Sequence, residues 1–173
     1  MSIVAESGWT PFPPQPVGDG KLRLHLLEVP EMDAGAPKPA IAADEHCLVF
    51  AYERSDGGQA PQQNVAVVRC DSCLAIKWGP PNDEALDGHP HYEAGLGYYG
   101  VFEVTDSDWV MELERQNSVH SKHVPGLFSG YRHFIVTFKD STLEFLAKEP
   151  DFRLTAGSPV EAALRAFEEE TES

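Results

Sequence analysis

Residues 79–97 hold Asn82, Asp83, Glu84, Asp87, His89, His91 and Glu93 between flanking glycines and prolines. Those glycines and prolines keep the stretch out of regular structure. A rigid scaffold can then present its polar groups while their backbones stay free of any ladder. A second polar cluster, Asn117, His120 and His123, ends in H-x-x-H and follows a helical segment. Imidazole and carboxylate together suit zinc, iron or manganese, and a catalytic site needs three such ligands and one open position. If the 82–93 loop folds over the 117–123 segment, His89, His91, Glu93, His120 and His123 become candidate ligands of a divalent metal. The metal would polarise an oxygen or acidify a bound water. Asp83, Glu84, His89 and His120 are then the candidate catalytic proton carriers. Without metal, His89 or His120 paired with Asp83 or Glu84 could still act as a general acid–base couple. The plainer alternative is a surface loop whose histidines cap turns.

Part of this pattern resembles the cupins. Gly88-His89-Pro90-His91 with Glu93 is similar to the H-x-H and Glu of that superfamily, which implies metal ligation by those residues. Gly130-Tyr131-Arg132-His133 is similar to the G-x-x-H that supplies its third imidazole. Three departures limit the resemblance to these few positions. One residue separates His91 from Glu93 where cupins keep three or four, Thr137 stands where an Asn is expected, and a helix is expected where a cupin has strands.

Cys70-Asp71-Ser72-Cys73 is the other metal- or redox-capable motif. Read as the turn of a hairpin over 64–78, it places the two thiols opposite one another and pairs Val67 with Ile76 and Val65 with Trp78. That position differs from the helix N-terminus where a redox C-x-x-C belongs, and a structural zinc site would lack a second C-x-x-C. Inert thiols are the simplest reading. No G-x-S-x-G, no phosphate-binding G-x-x-x-x-G-K-[ST] and no G-x-G-x-x-G is present.

The elements that must position these groups are mostly strands. Period-two apolar residues mark 21–29, where Leu22, Leu24 and Leu26 share a face, and 46–53, with a Gly57-Gly58 turn beyond. Residues 30–45, rich in proline and alanine, read as a loop, and 98–104 enters another strand. Residues 131–148 form a hairpin around Asp140-Ser141, with Phe138–Leu143, Val136–Phe145 and Phe134–Ala147 on one face. His133, Thr137 and Glu144 lie on the other. V-x-x-C-D-S-C-L at 67–74 and V-x-x-K-D-S-T-L at 136–143 share a pattern that a duplicated half-domain would leave.

Two helices are expected. One spans about 106–118, with Thr105 and Asp108 as an approximate capping box and Trp109 and Leu113 in the core. The other spans about 158–170, with Ser158, Pro159 and Glu161 as its start and Val160, Ala163, Leu164 and Phe167 as its apolar stripe. Strands and helices do not alternate regularly, so the expected fold is α+β. It is a mainly antiparallel sheet, rolled toward a barrel in one variant, with two helices packed on it. Residues 1–20 form a Pro-rich extended arm that Trp9 and Phe12 could pin, 21–168 a single domain, and 169–173 an acidic, frayed tail.

Length and charge limit the function classes. The 173 residues suit one domain, and 42% hydrophobic content can build a core. Thirteen Lys and Arg against 28 Asp and Glu give a net charge of −15, which opposes nucleic acid and anionic lipid. Three cysteines, an odd number, and no export-type leader point to a reducing, cytoplasmic setting. Two functions follow as expectations. One is an acidic domain that binds a protein partner or small ligand in an accessory or neutralising role, steered by its charge. The other is a small metal-dependent enzyme, hydrolytic or oxygen-using, built on the His and carboxylate groups above.

Overall fold

The computed structural model describes residues 8–55 and 63–169. The Gly57-Gly58 turn and residues 170–173 of the tail lie outside them. Among the described residues, ten strands form two five-stranded antiparallel sheets. In chain order they are β1 (Thr10–Pro11), β2 (Arg23–Leu26), β3 (Ala40–Ala43), β4 (Leu48–Glu53), β5 (Val65–Cys70), β6 (Cys73–Gly79), β7 (Val101–Thr105), β8 (Arg132–Thr137), β9 (Thr142–Ala147) and β10 (Asp151–Thr155). The first sheet has the order β1-β10-β5-β4-β3 and the second β2-β7-β8-β9-β6. The α+β class with antiparallel sheets is therefore present, as two open sheets and not a rolled barrel. Within the described residues, no helix is long and apolar enough to cross a membrane.

The main core lies between the sheets. Phe50, Tyr52 and Val68 of the first face Phe134, Val136, Leu143 and Phe145 of the second. Phe134 and Phe145 stack at 5.0 Å between ring centroids. Aromatic pairs of this kind add to the area they bury. Helix α2 (Pro159–Glu168) covers the outer face of the first sheet through Ala162, Ala163 and Ala166 against Val49, Ala51, Val65 and Val67. The outer face of the second sheet carries Phe102, Val104 and Ile135, capped by Leu86 and Leu96 of the 83–96 segment.

The β8–β9 hairpin forms with its faces as expected but slipped by two residues. Phe134 pairs with Phe145, Val136 with Leu143 and Thr137 with Thr142. The loop runs over four residues, closed by the Phe138 N–H donating to the Ser141 carbonyl at 2.9 Å. Asp-Ser lacks the glycine that a two-residue primed turn favours. A slip of two keeps every side chain on its own face. The C-x-x-C segment departs further from expectation. Both edges of β5 are taken, by β4 and β10, so β6 pairs with β9 in the other sheet. Asp71-Ser72 is a crossing between sheets, not a hairpin turn. The similarity of 67–74 to 136–143 therefore does not mark a repeated unit.

Further corrections are local. Residues 40–43, expected in a loop, form edge strand β3. Leu26 of β2 is 68% exposed, whereas Leu22 and Leu24 pack inward. Helix α1 (Asp108–Asn117) is capped by Ser107, two residues after Thr105, and none of its residues is fully buried, Trp109 and Leu113 included. Helix α2 starts as expected, with the Ser158 hydroxyl accepting from Glu161 N–H, but Val160 and Leu164 are exposed and alanines make the contact. The arm is pinned: β1 pairs with β10 and Phe12 is buried in the core. Its Pro13 carbonyl accepts from Arg132, whose guanidinium makes a buried ion pair with Glu103 at 2.7 Å. Glu169, expected to fray, is held by Arg153.

Candidate functional site

On the outer face of the second sheet, β8 and β9 place His133 and Glu144 side by side. The 80s segment lowers His89 onto them. Its 3-10 turn, Asp83–Gly88, is capped by the Asn82 side chain, which accepts from Ala85 N–H. Asp83 N–H donates to the Lys139 carbonyl at 2.8 Å and the Thr142 hydroxyl to the Pro81 carbonyl at 2.9 Å, which tie the segment to the β8–β9 hairpin. Leu86, 2% exposed, anchors it on the sheet. His89 follows directly at the C-cap.

The result is a carboxylate held between two imidazoles. His89 Nε2 lies 2.7 Å from Glu144 Oε1, and His133 Nε2 lies 3.3 Å from Oε2. His89 Nδ1 accepts from the His91 N–H at 3.0 Å, so its ring proton sits on Nε2, toward the carboxylate. The Ser107 hydroxyl oxygen accepts from the Val110 N–H at 3.2 Å. With the ring proton of His133 assigned to Nε2, toward the Glu144 carboxylate, Nδ1 is the acceptor for the Ser107 hydroxyl proton at 2.7 Å. Ser107, His133, Glu144 and His89 form one continuous hydrogen-bonded chain, all four buried.

Burial alone would raise the Glu144 pKa, but the hydrogen bonds from His133 and His89 outweigh it and hold the carboxyl well below the usual range. His91 closes the group, with ring centroids 5.6 Å from His89 and 6.0 Å from His133. Burial pushes its pKa down, against the opposing charges of Asp108, 3.4 Å away, and Glu144. The Lys77 ammonium sits 3.9 Å above the Trp109 ring and 3.8 Å from Glu144 Oε2. Trp109 in turn meets His133 edge to face at 5.3 Å.

A cleft of about 370 Å³, lined by Lys77, His91, Asp108, Trp109, Glu112 and Glu144, opens this centre to solvent. A smaller one of about 150 Å³ reaches Glu144 and His89 from the other side, past Lys77 and Trp78. A more apolar groove of about 970 Å³ lies elsewhere, between Leu27, Met32, Tyr98 and Phe152, and among the described residues its carboxylates are Glu28 and Glu31.

Of the residues expected to act, His89 and His91 are in the centre. Asp83 is not the partner of His89, because it accepts from the Tyr99 hydroxyl. Glu84 and Glu93 are exposed. His120 and His123 belong to a separate fold-back after α1. There His123 bonds Glu114 at 3.1 Å and Asn117 at 3.0 Å, while exposed His120 accepts from Lys122 N–H. The 80s loop meets the first residue of α1, through His91 and Asp108, and not its last turn. Roughly 14 Å of helix separates the two clusters. The three imidazoles of the cupin-like fragments, His89, His91 and His133, do come together, with Glu144 in the company where Glu93 was expected. No group of three His, Cys, Asp or Glu among the described residues is arranged around a common point suited to a metal ion.

Comparison with protein-family models, curated proteins and solved structures found no match.

Ser107, Asp108, Trp109, Lys77 and Glu144 were not among the expected site residues, and His133 entered only through the cupin-like fragment. A signal for two of them existed: His133 and Glu144 share the polar face of a hairpin whose other face is wholly apolar. Such polar groups need partners from whatever covers that face. Cys70 and Cys73 carry no comparable signal. Both are buried in the inter-sheet core as free thiols, and burial pushes the Cys73 pKa up to about 11 and that of Cys70 well above the usual value.

Proposed function

We propose that the protein is a binding domain whose cleft over the His89–Glu144–His133 centre takes up a positively charged group, presented by a small molecule or a basic side chain of a protein partner. The observation that carries this reading is the seat of the Lys77 ammonium, over the Trp109 ring and beside an ionised, largely buried Glu144. An aromatic face with a carboxylate beside it is the environment that binds organic cations. Asp108 has His91 as its partner, whose depressed pKa keeps it neutral at pH 7. Lys77 in the cleft and Arg115 on Glu112 offset two of the three lining carboxylates, so one negative charge is left over. Lys77 itself is 59% exposed along its side chain and can swing out. The chain's net charge of −15 would draw a cation toward the cleft at low ionic strength.

The test is a titration of the protein with arginine amide, followed by the indole N–H resonance of Trp109, assigned with a Trp109→Phe variant. A saturable shift of that resonance, lost in Asp108→Asn, is expected. A resonance that stays put, or one that moves identically in Asp108→Asn, would overturn the reading.

A further inference from the structure

The hydrogen-bonded chain beneath the cleft holds more than cation recognition requires. Ser107 Oγ, His133 and Glu144 stand in the order nucleophile, base and orienting acid, at 2.7 Å and 3.3 Å. Triads of this kind are recognised by geometry and role, not by position in the chain. Each partner's proton is already directed as the chemistry needs. The Val110 N–H occupies one lone pair of Oγ, and with the His133 ring proton on Nε2 the hydroxyl proton goes to Nδ1. The Glu144 carboxylate receives the Nε2 proton and would stabilise the imidazolium formed when Nδ1 takes up a second.

The backbone supports the same reading. Ser107 lies at a sharp strand-to-helix turn between β7 and α1, directly after Asp106, which adopts the left-handed conformation at φ 53°. A non-glycine residue there is strained, and such strain persists where the surroundings over-determine it. Strand, sharp turn and helix also present the nucleophile in α/β-hydrolases. The next two residues, Asp108 and Trp109, open a helix of ten residues and line the cleft. Their N–H groups have no carbonyl within the helix to bond. They follow Ser107 directly in the chain and would be available to an oxyanion formed on a carbon attached to Oγ.

We infer that Ser107, buried directly behind the cleft wall formed by Asp108 and Trp109, is an acylatable nucleophile and that the protein hydrolyses a small ester reaching it through the cleft. Oγ adds to the ester carbonyl carbon, the carbonyl electron pair moves onto its oxygen, and the hydroxyl proton passes to His133 Nδ1. Collapse breaks the bond to the leaving alkoxide, which takes that proton and departs as the alcohol. Water then adds to the acyl-serine, its proton passing through Nδ1 to Oγ, and the free acid is released. No oxidant, reductant or metal enters the balance. This inference goes beyond the proposed binding function, and either can fail alone.

The test is labelling of the purified protein with a fluorophosphonate, read by intact mass and peptide mapping, with hydrolysis of p-nitrophenyl butyrate alongside. A single adduct on Ser107 is expected. Its rate of formation should fall at least about 100-fold in His133→Gln. Ser107→Asp, which keeps a helix-capping oxygen, should stay folded by circular dichroism and show neither adduct nor ester turnover. No adduct on Ser107 under conditions that fully label a known serine hydrolase would overturn the inference. So would an adduct formed equally fast in His133→Gln, or ester turnover that survives in Ser107→Asp.

Discussion

Substituting Glu144 with Gln tests whether this carboxylate is the ionised anchor of the site. In the native protein it accepts N–H donors from two imidazoles, one on each oxygen. Hydrogen bonds to a charged group contribute about 1.5–3 kcal/mol each. Glutamine offers one oxygen and one NH2, so one imidazole keeps a neutral bond while the other faces a second donor. Neither ring can simply turn its proton inward, because both Nδ1 atoms already accept, from His91 N–H and from the Ser107 hydroxyl. A buried N–H without an acceptor costs about 1–3 kcal/mol. The combined loss comes to roughly 2–4 kcal/mol at pH 7, a fall of about 5–15 °C in Tm for a chain of this size. The pH dependence has a definite sign. Because the folded-state pKa lies below the ordinary value of 4.5, the stabilisation is fully present above that pH and is lost as the pH falls below it. The gap in Tm between native protein and variant should therefore hold steady from pH 7 to about pH 5 and narrow beyond. Differential scanning calorimetry reads both. A variant melting within about 2 °C of the native protein at pH 7, or a gap unchanged below pH 4.5, would refute the reasoning.

Other outcomes follow from the same geometry. Lys77→Met removes the internal competitor and should tighten arginine amide binding about fivefold, since displacing a surface cation–π and ion-pair contact costs on the order of 1 kcal/mol; calorimetric titration checks this. Arg132→Met leaves Glu103 buried without its partner and should cost about 3–5 kcal/mol in urea unfolding. Ser158→Ala removes the α2 cap and should cost about 1 kcal/mol, lowering Tm by about 2–4 °C. Cys70 and Cys73 should resist a thiol reagent at pH 8 until denaturant is added, because burial keeps both protonated.

Much of the fold was legible because alternation dictates which face of a strand is buried. The β8–β9 hairpin shows both the reach and the limit of that signal: its faces follow from period two, but a two-residue slip leaves the faces unchanged, so only the turn could fix the register. Asp140-Ser141 did not. Sheet membership was invisible for a different reason. Nothing in the composition of 64–78 tells a tight hairpin from a crossing between sheets, and the choice fell to β10, which returns from 80 residues later to occupy the free edge of β5. The site was half legible. His89 and His91 stood out in a polar loop, but that loop meets the start of α1 and not its end, and loop direction has no local signature. The partners that complete the site come from strands and from a helix cap, where Glu144, His133 and Ser107 look like ordinary polar residues until the 80s segment is laid over them.

The central claim is that the cleft above Glu144 recognises positive charge. Its most direct test is an isothermal titration comparing arginine amide with citrulline amide, a near-isostere without the charge, at low and high ionic strength. The account predicts saturable binding of arginine amide that weakens as salt rises, and no binding of citrulline amide at either. Equal affinity for the two, or binding of neither, would contradict it.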